Sequence, residues 1–186
     1  MYDIILQVPV IGMPVEDFAL LFITALAGGA FGAALGALPA FIFTGFVVFL
    51  GEGVAILQRE ITGQIDAVPA GELAVGITGV IGFGAITGPH IAFAGGVAAS
   101  AYAGKKYPEM EPDGWDYHFG KNILYAFGTK PDILAVGAVF GALGMLINQF
   151  GAALLAVDGT GLTDTIALSV VATALVARVV FGYPFV

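Results

Sequence analysis

Three stretches of this chain contain no Asp, Glu, Lys or Arg: Phe18 to Gly51, Leu73 to Gly104 and Ile133 to Val157. A helix that crosses the hydrocarbon core of a bilayer needs about 20 apolar residues, and each stretch is longer than that. A soluble domain carries about 25% charged residues. Here 11% of residues are charged and 59% are hydrophobic, and the charges gather between the stretches. The chain therefore reads as all-α: a single polytopic membrane domain over residues 1–186, with the bilayer as its first partner and a cell membrane as its location. Asp3 stands where a signal peptide would carry a basic residue, so no cleaved leader is expected.

Three segments open alike, on proline, an acid and then an apolar run. They begin at Pro14-Val15-Glu16-Asp17, Pro69-Ala70-Gly71-Glu72 and Pro131-Asp132. Proline suits a helix start, and an acid there complements the positive end of the helix dipole. Each run then holds Phe-Gly-Ala, at Phe31-Gly32-Ala33, Phe83-Gly84-Ala85 and Phe140-Gly141-Ala142. Each unit closes on a cation: Arg59, Lys105-Lys106 and Arg178. The pattern predicts a bundle of three helical hairpins, at about 14–59, 69–107 and 131–186, with a loop over about 105–132. Turns are expected near Ala37-Leu38-Pro39, at Thr87-Gly88-Pro89-His90, and over Asp158 to Asp164, where proline and glycine interrupt the helical pattern.

Hairpins would place every Lys and Arg on one side with both termini, and the positive-inside rule makes that side cytoplasmic. The competing layout treats Leu73 to Gly104 as one long span. It has five crossings, an external N-terminus and Arg59 outside. The hairpin layout accounts better for the charges. The arms of the middle unit hold only about 15 residues each, which reach about 22 Å, short of a hydrocarbon core of about 30 Å. That hairpin is thus expected to be short, stopping inside the membrane as a re-entrant loop. Irregular backbone at such depth is tolerated only where protein buries it or water reaches it.

The candidate path residues follow. Thr87, Gly88, Pro89 and His90 form a helix break whose free backbone groups could meet a ligand, and His90 changes charge near neutral pH. The bland alternative is a surface turn with a solvated histidine. Glu52 lies within the return arm of the first unit, where an ionisable group is costly and a functional candidate by default, or else an interfacial anchor. Asn148, beside Gln149, either bridges helices or lines a polar path, and bridging is the commoner role of such amides. Arg178 reads as an interfacial anchor. Gly28, Gly32 and Gly36, and Gly137 and Gly141, have the four-residue spacing that lets helix backbones approach closely.

Asp116 and His118 could ligate a metal, but two ligands are a weak signal. Trp115, Tyr117 and Phe119 around them suit a membrane interface better, so the metal remains unknown. No cofactor is expected, because no nucleotide-binding or hydrolase motif occurs. There is no cysteine to serve as nucleophile or thiolate ligand. A net charge of −8 argues against nucleic acid as a partner. The expected function is an oligomeric channel or transporter for an ion or small solute, not an enzyme, with a homo-oligomer as the assembly. The alternative is a non-catalytic subunit or scaffold beside other membrane subunits.

Overall fold

The computed structural model describes residues 6–62, 75–111, 113, 114, 120, 122–126, 128–158 and 160–184. The fold is all-α. Among the described residues five α-helices carry it: α1 (Val15–Leu35), α2 (Ala37–Thr62), α3 (Ala94–Lys106), α4 (Pro131–Leu154) and α5 (Thr165–Val180). Ahead of α3 lie two π-helical pieces, Val75–Gly82 and Pro89–Phe93, the second running straight into α3. The residues of α1, α4 and the part of α2 over Ala37–Leu57 are long and apolar enough to cross a membrane. α5 is apolar but shorter, at 16 residues.

The helix starts follow the sequence signals where the structure describes them. Pro14 precedes α1, with Glu16 and Asp17 in its first turn, and Pro131 opens α4 with Asp132 beside it. The opening at Pro69 to Glu72 lies outside the described residues. α5 is capped by Asp164, whose carboxylate accepts from the amides of Ile166 (2.9 Å) and Ala167 (3.1 Å). The turn of the first unit falls one residue earlier than Ala37. Gly36 takes φ +94°, which a side chain disfavours. Leu38 and Pro39 already belong to α2, whose first-turn amides have no partner within the helix. The Leu38 amide finds one in the Ile123 carbonyl, at 2.9 Å. The turn of the last unit is a two-stranded hairpin, β1 (Ala156–Val157) against β2 (Thr160–Gly161).

At the centre, three helix backbones touch. α1 and α4 run antiparallel, with Gly29 against Gly137 and Gly141, and Ala25 against Gly141. α3 enters this seam at Gly95. A Cβ there would lie 2.5 Å from the Gly29 carbonyl oxygen and 2.7 Å from that of Gly137. Small clusters of Ala, Ile and Phe surround the crossing, among them Ala33, Ala99, Ala103 and Ile133 towards one end and Ala25, Ile91 and Met145 towards the other.

The first and last units are antiparallel helix pairs. The middle unit departs from a re-entrant hairpin. Its partners along α2 succeed one another in a single direction: Thr78 lies against Gly51, Gly82 against Val48, Thr87 against Thr44, Phe93 against Phe41 and Gly96 against Ala37. The Val75–Gly82 piece packs on α2 and hardly touches α3. Val75 to Lys106 is thus one traverse of the bundle, broken midway, because the partners along α2 continue in the same order on both sides of the break. The short arms that suggested a hairpin are the two halves of one crossing.

The glycine seam has a direct test. Gly95→Ala and Gly141→Ala should each lose about 1–3 kcal/mol of stability from overpacking, read as a lower midpoint of thermal unfolding in detergent. Gly45→Ala, where a Cβ meets nothing within 4 Å, should be neutral or stabilising by up to about 1 kcal/mol.

Candidate functional site

The break over Phe83 to Gly88 follows from its sequence. Gly82, Gly84 and Gly88 weaken any helix, and Pro89 cannot donate to a carbonyl in the preceding turn. Backbone groups freed at this depth must find partners, since lipid offers none. They do so locally and through α2. The Phe83 amide donates to the Thr78 carbonyl (2.9 Å), and the Gly88 amide to that of Gly84 (3.0 Å). The Thr87 hydroxyl donates to the Ile81 carbonyl. From α2, the Thr44 hydroxyl donates to the Thr87 carbonyl at 2.5 Å. Thr44 and Thr87 are 2% and 4% exposed, so these bonds are dry.

Pro89 and His90 are buried as well. His90 is 4% exposed, and its Nδ1 has no hydrogen-bond partner among the described residues. Its backbone is clamped by α4, where a side chain at Gly144 would collide with the His90 carbonyl. α1 holds the flanks: side chains at Gly28 and Gly32 would run into the backbone of Ala85–Ile86 and of Ala92. Thr87, Gly88, Pro89 and His90 therefore sit together inside the bundle, away from its surface.

Beside the break runs a groove of about 470 Å³ between α2 and α5. Phe41, Phe83, Pro89 and Phe93 form one wall and Val170 and Val171 the other, with Asp164 as its one charged residue. The groove is apolar, and His90 does not line it.

The other candidates do not converge on this point. Glu52 is exposed, and its carboxylate accepts from the Thr78 hydroxyl at 3.0 Å. It lies two helical turns beyond Thr44 on α2. Asn148 accepts from the Thr165 hydroxyl at 2.7 Å, which ties α4 to the start of α5. That is the bridging role. Asp116, His118, Trp115, Tyr117 and Phe119 lie outside the described residues. Among the described residues no three of His, Asp and Glu gather as a metal site would require.

Sequence reasoning missed a second polar centre, at the end of the bundle where α3 stops and α4 begins. One oxygen of Asp132 accepts from Lys106 (2.8 Å), Tyr102 (3.0 Å) and Tyr107 (2.5 Å). The bond to Asp132 holds the Tyr107 phenol above its ordinary pKa. Lys130 lies 4.2 Å from the Tyr107 ring centroid, a cation–π distance. Sequence reasoning also missed Thr44, though its signal was present: it is the only hydroxyl between Leu38 and Gly51.

Residues 10–186 match a protein family of unknown function, DUF7973. The chain belongs to that family. No curated protein and no solved structure matches it.

The two hydrogen-bonded contacts differ in cost. Thr44→Val leaves the Thr87 carbonyl unpaired in a dry site and should cost about 1–3 kcal/mol, with Thr44→Ser restoring it. Thr165→Val removes a half-buried interhelical bond and should cost about 0.6 kcal/mol. Thermal unfolding in detergent checks both.

Proposed function

We propose that this chain is a subunit of an oligomeric membrane channel or transporter for an ion or small solute, with its path beside the break at Thr87–His90. One observation carries the reading: a membrane traverse unwound midway around a buried histidine whose Nδ1 lacks a partner among the described residues. Proteins keep such costly features where a ligand or proton completes the coordination. Broken helices at mid-depth are a recurrent form of transport site. The groove between α2 and α5 supports the same reading, because it leaves one side of the break unclamped. Movement of α5 across Pro89, or a neighbouring subunit, would open the site.

Orientation belongs to the proposal. The start of α1 packs near Met145 and Leu146, whereas Tyr183, just past α5, packs near Ala101 and Lys105. These ends are opposite, which supports a layout with the start of α1 and the residue after α5 on different sides. Lys105, Lys106, Lys130 and Arg178 gather at one end, which the positive-inside rule makes cytoplasmic. The start of α1 then faces outward. This is the five-crossing layout, with Arg59 outside. Because the chain has no cysteine, single replacements report cleanly. A membrane-impermeant maleimide should label Asp17→Cys on intact cells and Lys130→Cys only after lysis. Labelling of both from the same side would overturn the layout.

A second reading, a non-catalytic subunit of a larger complex, draws on the outward face of α2. Ile42, Phe46 and Phe49 are exposed there on one face, ahead of the exposed Glu52. Purification in mild detergent separates the readings, since a scaffold should bring unrelated chains with it.

Transport is tested in sealed proteoliposomes under Na⁺, K⁺ or proton gradients, and with small neutral solutes. Wild-type protein should carry at least one of them faster than protein-free vesicles, and His90→Ala should slow it severalfold. Flux equal to empty vesicles for every probe, or flux unchanged in His90→Ala, would remove the proposal.

A further inference from the structure

We propose that a pocket at the basic end of the bundle binds the phosphate of an anionic phospholipid. The pocket lies between α3 and α5 and encloses about 190 Å³. Its floor is apolar, from Val97, Ala101, Ala174 and Ala177, and Arg178 and Tyr183 close it. Tyr183 is held in place by the bond its hydroxyl donates to the Ala101 carbonyl (2.8 Å). Lys105 lies over the Tyr183 ring, 4.4 Å from its centroid. Arg178 thus lines the pocket, and Lys105 sits on the ring of Tyr183, which closes it.

Among the described residues neither cation forms an ion pair. Arg178 donates through Nε to the Pro184 carbonyl at 3.0 Å, a contact that aims the guanidinium but leaves its charge whole. Among the described residues the one ion pair is Lys106 with Asp132. Glu109, Glu111 and Asp113, on the chain that follows α3, form none with Lys105 or Arg178. In a protein of net charge −8, carboxylates are plentiful, yet none among the described residues pairs with these two cations. A guanidinium and an ammonium at one pocket suit a phosphate diester, because Arg178 keeps donors beyond the Nε and Nη2 that meet the Pro184 carbonyl.

The setting favours a lipid over a free anion. Arg178 is followed on α5 by Val179 and Val180, which are 60% and 61% exposed. These valines face lipid, so the pocket stands where headgroups meet acyl chains. A phospholipid would place its phosphate between Lys105 and Arg178 and its first methylenes on the alanine floor. Basic pockets between membrane helices hold anionic headgroups in this way. The inference needs only the membrane setting and is independent of transport.

The test offers detergent-solubilised protein equal amounts of phosphatidylglycerol and phosphatidylcholine and counts bound lipids by native mass spectrometry. Wild type should retain phosphatidylglycerol preferentially. Lys105→Gln and Arg178→Gln should each lower that preference about fivefold, the equivalent of the ~1 kcal/mol a basic side chain contributes near anionic lipid. Lys130→Gln, outside the pocket, should leave it unchanged. Equal retention of both lipids by wild type, or a preference unaltered in Lys105→Gln, would overturn the proposal. So would displacement of the lipid by millimolar inorganic phosphate, which would make the ligand a soluble anion. Lys105 is exposed, so its variant keeps the test decisive if Arg178→Gln does not fold.

Discussion

Backbone contact between glycines sets the rest of this fold. Inside a bilayer, burying apolar side chains gains nothing over lipid, so helices associate through close packing and interhelical hydrogen bonds. Gly29, Gly95 and Gly137 bring α1, α3 and α4 into contact at one point, and Gly141 and Gly144 extend the seam along α4. A Cβ at any of these positions meets backbone, which cannot rotate away as a side-chain tip can. The seam therefore fixes three axes at once. It also fixes where the middle traverse breaks, because Gly28, Gly32 and Gly144 press directly on Ala85–Ile86, Ala92 and His90.

With that position set, the break becomes a problem of unpaired polar groups. Each unsatisfied amide or carbonyl would cost several kcal/mol in hydrocarbon. The chain meets the demand with two threonines and two local amide bonds. Thr44 matters most, because it ties the break to another helix and so couples the break's geometry to α2. The His90 imidazole is the one side chain here that the same logic leaves incomplete. Its backbone is clamped while its Nδ1 is unbonded among the described residues, so the incompleteness resides in a group able to exchange a proton or meet a ligand.

Much of this was legible from residue order alone. Charge-free runs identify the membrane class, and the proline–acid openings place the starts of α1 and α4. The glycine spacings pick out Gly28, Gly32, Gly137 and Gly141 as contact positions. The repeated Phe-Gly-Ala was the misleading part. Gly32 and Gly141 are helix-contact glycines, whereas Gly84 lies in the break, so the same three letters serve two ends. Whether a break reverses the chain or only bends it depends on what packs against each half. Val75–Gly82 follows α2, a partner distant in sequence, and no local signal reports that. Gly29, Gly95 and Gly144 escaped notice for the same reason: they become special only when another backbone arrives. Asp132 looked like a helix-start acid. Its second role, gathering Tyr102, Lys106 and Tyr107, appears only when α3 ends beside it.

The two polar centres divide the labour of the middle traverse. At its basic end, one carboxylate oxygen accepts three donors from α3 and the residue after it, which pins α3 to the start of α4. A single exposed ion pair contributes little, but three donors converging on one oxygen, two of them from rigid phenols, fix direction as well as distance. At the other end, among the described residues Val75–Gly82 rests mainly on α2, with Thr78 bonded to an exposed Glu52. The traverse is thus held firmly by α3 and lightly by its first half, and the unwound turns lie between. If α2 moved with the seam intact, the first half would move with it, and the Thr44–Thr87 bond is the contact that would link that motion to the break beside His90. Thr44→Val, besides destabilising the break, should for that reason uncouple α2 from the histidine.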